Sequence, residues 1–135
     1  MTLIVDASVA LKWLIEEEGS EKAASLRSEE LHAPALIRLE IGNALRSLTA
    51  RDLLTAEAAR EAYTVFLAAP MTLHPLNAAD GAEAFALALQ LAHPIYDCVY
   101  LALALKLEAR YITADQRFQR IVDAAGGFSS TVVAL

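Results

Sequence analysis

The sequence holds a single cysteine, Cys98, so no disulfide can form within the chain. That suits a reducing compartment, and the expected location is the cytoplasm. Set in an apolar run, Cys98 reads as a small buried hydrophobe and not as a nucleophile. Long hydrophobic runs are missing too: the longest uninterrupted one is Cys98 to Leu105, far short of the ~20 residues a spanning helix needs. No membrane association is expected. The opening MTLIVDASVALKWL has no basic leader and is broken by Asp6 and Lys12, so it does not read as a signal peptide. Positive charge is scarce, with 11 Lys and Arg against 17 Asp and Glu and a net charge of −6. This argues against nucleic-acid binding through a basic surface. It leaves open a nuclease whose acids bind a metal and meet the phosphate through it. The three histidines, His32, His74 and His93, each sit near a proline at an element boundary, and their spacing matches no zinc pattern.

What the sequence has in surplus is apolar side chains, 56% of its 135 residues, above the usual share. Part of that surplus is expected to cover a subunit or partner surface. No linker, repeat or low-complexity stretch divides the chain, so residues 1–135 are read as one domain. Strand-like and helix-like signals alternate along it. Leu3 to Val5 is a short β-branched run, Ala7 to Ile15 reads helical, and a polar helix spans about Ser20 to Glu29. His32-Ala33 reads as extended, with Pro34 placed at the first turn of a helix running to about Leu48. Thr55 caps a helix ending by Pro70, Met71 to His74 is extended, and Asn77 with Asp80 forms a capping box for a helix to about Leu91. A further helix covers about Ile95 to Glu108, Tyr111 to Thr113 is a strand, a helix follows to about Ala125, and Thr131 to Leu135 closes the chain as a strand. Parallel strands need crossover helices, so the alternation predicts an α/β fold: three α/β/α layers around a mainly parallel sheet of about five strands.

In such a sheet, functional side chains collect in the loops leaving the carboxyl ends of the strands. Asp6 follows Leu-Ile-Val directly, and Asp115 follows Tyr-Ile-Thr by two residues. Each is also a natural helix N-cap. Glu40 shares a helix face with Leu36 and Ala44, and Asn43 at i+3 is placed on the same face. Asp97 heads an apolar run with no basic residue on its face until Lys106. Four clustered carboxylates repel one another unless a cation holds them together. Oxygen ligands without nearby His or Cys favour Mg²⁺ or Mn²⁺.

Four segments carry a resemblance: Asp6-Ala-Ser-Val-Ala-Leu-Lys-Trp, Pro34-Ala-Leu-Ile-Arg-Leu-Glu-Ile-Gly-Asn-Ala-Leu, Tyr96-Asp-Cys-Val-Tyr-Leu-Ala-Leu-Ala and Thr113-Ala-Asp-Gln-Arg-Phe. In order and spacing they resemble the four acidic motifs of the PIN-domain ribonucleases, and above all the VapC-type toxins of toxin–antitoxin pairs. The resemblance implies that Asp6, Glu40, Asp97 and Asp115 are the catalytic, metal-binding acids. It implies supporting roles for Ser8, Asn43 and Thr113, and a packing role for Trp13. It further implies metal-dependent endonucleolytic hydrolysis of RNA, a homodimer, and an antitoxin whose tail covers the active-site groove. Some relatives carry a further acid after the fourth motif; here Gln116, Arg117, Phe118 and Gln119 follow Asp115, which argues against a tightly held second metal.

Two other readings compete. A PIN-like binding subunit without catalysis conflicts with retention of all four acids. A receiver-like phosphoacceptor expects paired acids after the first strand and a Lys after a late one, and neither is present. Lys12, Arg38, Arg46 and Arg117 are the candidate phosphate contacts.

Overall fold

Every strand of the sheet is parallel. The computed structural model describes residues Met1–Leu135. Its strands are β1 (Thr2–Val5), β2 (Glu30–Pro34), β3 (Thr72–His74), β4 (Arg110–Thr113) and β5 (Val132–Ala134), in the order β3-β2-β1-β4-β5. The helices are α1 (Ala7–Ala10, continued by a 3-10 turn over Leu11–Trp13), α2 (Ser20–Ser25, continued by a 3-10 turn over Leu26–Ser28), α3 (Ile37–Ala50), α4 (Ala56–Leu67), α5 (Ala78–Leu91), α6 (Ile95–Leu107) and α7 (Gln116–Ala125). The five-stranded α/β architecture is the expected one. A receiver-like sheet would run in the order 2-1-3-4-5, which this topology excludes.

Alternation along the strands divides the core into the two faces of a three-layer domain. Ile4, Ala33, Tyr111 and Val132 face a large cluster with Ile37, Ile41 and Leu45 of α3, the buried residues of α5 and α6, and Phe118 and Val122 of α7. Leu3, Val5, Leu31 and Ile112 face the other way, against Val9 and Ala23. The helix α6 is buried on most of its circumference, from Cys98 through Leu101 and again at Leu103 and Ala104. That explains why its sequence shows no polar stripe. No single helix is long and apolar enough to cross a membrane.

Local signals place most boundaries. Thr55 caps α4 through Ala58 N–H, and Asn77 and Asp80 form the reciprocal capping box of α5. One expectation fails: Pro34 ends β2 instead of opening α3, which begins at Ile37. The pairing of β1 with β2 extends only to Ile4 with His32, whereas Pro34 pairs with His74 of β3. At that overhang, with β1 already ended, a missing N–H does not interrupt the ladder on the β1 side.

Sheet order changes direction at β1, which has β2 and then β3 on one side and β4 on the other. Val5 pairs with Ile112, so Asp6 and Thr113 leave adjacent strands side by side. Such a crevice is where open α/β sheets place ligands.

Candidate active site

Asp6 is the N-cap of α1 and is only 4% exposed. An ionised carboxylate so deep needs donors, and it has four. Ser8 Oγ donates to Oδ1 at 2.5 Å and Val9 N–H to the same oxygen at 3.2 Å. Tyr111 OH donates to Oδ2 at 2.7 Å and Thr113 Oγ1 at 2.6 Å. The two short hydroxyls are themselves held. Ala114 N–H donates to Ser8 Oγ and Asp115 N–H to Thr113 Oγ1, both at 3.0 Å. Backbone leaving β4 thereby fixes the acid leaving β1. Burial raises the pKa of Asp6 above the ordinary carboxylate value, against the opposing pull of these hydrogen bonds.

Glu40 stands on α3, half-buried beside the core positions Ile37 and Ile41. The Tyr100 hydroxyl donates to its Oε1. Its pKa is also raised, first by burial and then by the negative charges of Asp6 and Asp97, while the Tyr100 hydrogen bond lowers it. The charges of Asp6, just beyond β1, and of Asp97 on α6 therefore both reach Glu40 on α3.

Asp97 lies in the first turn of α6 with its side chain 25% exposed. A divalent cation was its expected partner, and the structure supplies a protein partner as well. His93 Nε2 lies 2.6 Å from Oδ2. Ala92, at the end of α5, adopts a left-handed conformation with φ of 51°, which turns the chain so that His93 meets Asp97 four residues later. The imidazole packs on Phe118, with ring centroids 4.9 Å apart. Asp97 accepts no backbone N–H of α6, so its place in the first turn is not explained by capping.

Asp115 does cap a helix: its Oδ1 accepts Arg117 N–H at 3.0 Å and Phe118 N–H at 3.1 Å, starting α7. It joins the other acids through Thr113, and only Asp6 and Asp97 act on Glu40. Asn43 is not brought in; it is exposed on α3 and accepts from Arg46 Nε at 3.4 Å. Trp13 packs as expected and donates from Nε1 to Ala23 O at 2.8 Å. Lys12 is tied to Glu17 and to Glu18 O, whereas Arg38, Arg46 and Arg117 are exposed. The Cys98 thiol is pushed up to about 11 by burial and then by Asp97, which keeps it protonated and unreactive.

Sequence reasoning missed Tyr100, Tyr111 and His93. The i+3 and i+4 spacings of Tyr100 and His93 from Asp97 were the available signal. Nothing local foretold the bond from Tyr111 to Asp6, 105 positions away.

The donor chemistry suits a hard divalent cation, since the acids offer only oxygens, and Glu40 Oε2 and Asp97 Oδ1 accept from no protein donor. No three His, Cys, Asp or Glu side chains stand close enough to hold an ion by themselves. That still fits Mg²⁺, which keeps several waters and takes one or two carboxylates.

These features define the class: a three-layer α/β domain with a buried acidic crevice where its parallel sheet changes direction. The chain belongs to the PIN-domain family, whose model matches residues 3–124. Ribonuclease VapC3 of Pyrobaculum aerophilum is 34% identical over 123 residues, 87% of this chain and 92% of the relative. Among solved structures, PAE2754 from Pyrobaculum aerophilum superposes with a TM-score of 0.73 at 18% identity, covering 98% of this chain and 83% of that one. A chain of a toxin–antitoxin complex from Klebsiella pneumoniae superposes with a TM-score of 0.65 at 14% identity, covering 97% and 95%.

Proposed function

We propose that this chain is a VapC-type ribonuclease toxin that hydrolyses RNA phosphodiester bonds with Mg²⁺ or Mn²⁺. The observation that carries the reading is the meeting of Asp6, Glu40 and Asp97, from three separate elements, in a crevice where two of them have raised pKa values. Buried like charges are costly, and a fold keeps them where a ligand of opposite charge repays the cost. Asp6, Glu40 and Asp97 would hold the metal directly or through water, and Asp115, with Oδ2 free of the cap, would hold a water or the far side of the metal's shell. A bound divalent ion supplies an activated water and stabilises charge on the phosphate oxygens.

This chain's own residues do the rest. Ser8 and Thr113 keep Asp6 from turning, and His93 does the same for Asp97. An open cleft of about 490 Å³ adjoins Thr113 and Asp115, lined also by Lys12, Lys22 and Arg120. Lys22 and Arg120 offer a track for an RNA backbone despite the acidic net charge, while Lys12 is paired with Glu17.

The similarity to the Klebsiella pneumoniae complex and the apolar side chains left in solvent support a cognate antitoxin and self-association. Leu39, Val65 and Leu67 are exposed on α3 and α4, and Phe85 and Leu89 on α5. Purified, antitoxin-free protein incubated with total RNA is expected to cleave with Mg²⁺ or Mn²⁺ and to stop in EDTA. Cleavage that persists in EDTA would refute the metal reading, and none under any condition would favour a binding subunit. Growth arrest on expression, relieved by coexpressing the neighbouring reading frame, tests the toxin role.

A further inference from the structure

We propose that Tyr100 and Tyr111 are positioning residues of the acidic site, a stacked pair of buried phenols that set the Glu40 and Asp6 carboxylates for the metal. This rests on the metal-dependent reading above.

Both rings are fully buried, and they stack with centroids 5.6 Å apart and planes 20° apart. Tyr111 rises from β4 and Tyr100 from α6, so the stack bridges the sheet and the helical layer over it. Each phenol ends on a different acid, Tyr111 on Asp6 Oδ2 at 2.7 Å and Tyr100 on Glu40 Oε1. Phe118 packs tilted against Tyr111, with centroids 6.0 Å and planes 42° apart, and tilted against the ring of His93, which holds Asp97. The packed rings of Tyr100, Tyr111, Phe118 and His93 therefore reach all three acids.

Packing alone does not call for the hydroxyls. Phenylalanine would fill the same space without burying a polar group, and a buried hydroxyl lacking a partner is destabilising. The hydroxyls are accounted for by the acids they serve. A phenol is also the donor that chemistry favours here. Lys or Arg at these positions would neutralise the carboxylates and compete with a cation, whereas a neutral phenol fixes one oxygen and leaves the negative charge available.

The test compares Tyr100→Phe and Tyr111→Phe with wild type and with Tyr63→Phe, whose hydroxyl bonds Arg38 O away from the acids. Mn²⁺ affinity is measured by calorimetry, RNA cleavage as separate kcat and KM, and thermal stability in EDTA. Loss of an outer-shell hydrogen bond to a ligand is expected to weaken Mn²⁺ binding about 10- to 100-fold. kcat should fall with KM unchanged, and Tyr63→Phe should change neither. Wild-type Mn²⁺ affinity and kcat in both site variants, with only the melting temperature altered, would overturn the positioning role. A wild-type protein that cleaves RNA but binds no Mn²⁺ would overturn the metal reading, and the positioning role with it.

Discussion

Asp6 and Glu40 lie at the centre of the molecule's electrostatics, and their protonation makes a residue-level prediction. Both have folded pKa values above the ordinary 3.8 and 4.5, chiefly because burial disfavours the charged form. Between those unfolded values and the raised folded ones, the native state binds more protons than the unfolded state. Stability therefore falls as pH rises through that window, and the destabilisation is complete above the folded pKa values. In EDTA, wild type is expected to lose more unfolding free energy as pH rises from 4.5 toward neutrality than Glu40→Gln, which has no proton to lose there. The comparison needs urea denaturation of both proteins at each pH. Equal slopes would mean that Glu40 titrates as an ordinary exposed acid. The same two residues show what the sequence conveyed at this scale. Motif spacing pointed to the acids, because each lies beside a recognisable strand exit or helix face. It did not disclose Tyr100 and Tyr111, whose partners lie 60 and 105 positions away. Pairings of that kind are made by the packing of layers and leave no periodicity to read.

At the scale of elements, Asp115 both starts α7 and lies at the edge of the site. The two roles separate chemically, since asparagine keeps a capping oxygen and loses the charge. Asp115→Ala is expected to destabilise the protein by about 0.5–2 kcal/mol in chemical denaturation. Asp115→Asn should stay near wild-type stability, and both should lose metal-dependent cleavage. Full cleavage by Asp115→Asn would leave Asp115 with capping alone. Elements that carry their own punctuation were readable in advance, including the Thr55 cap and the Asn77–Asp80 box. Pro34 misled because a proline before an apolar helix reads as N1, whereas the register with His74 keeps it in β2. Asn43 misled for a related reason. The inward face of α3 is set by Ile37, Ile41 and Leu45, and the i+3 step from Glu40 carries Asn43 out to solvent.

Across the whole molecule, the large apolar fraction divides between a two-faced core and side chains left in water. Leu89 is 67% exposed and Phe85 56%, both on α5. Obligate interfaces resemble a core cut in half, and α5 offers such a surface. Leu89→Asp is expected to shift the protein toward monomer by light scattering, with the melting temperature of the separated chain unchanged. An unaltered mass would count against the proposed self-association through α5. The fold class was legible because a parallel sheet needs an alternating chain. The change of direction between β1 and β4 was not, since pairing order is decided only once the layers close. That junction brings the acids together, and its chemistry is tested most directly at Asp97. The measurement is the rate of Mg²⁺- or Mn²⁺-dependent RNA cleavage by Asp97→Asn, beside its circular dichroism and melting curve. The expected result is a native fold with cleavage reduced about 100-fold or more. Cleavage at the wild-type rate by the folded variant would contradict the assignment of this crevice as a nuclease site.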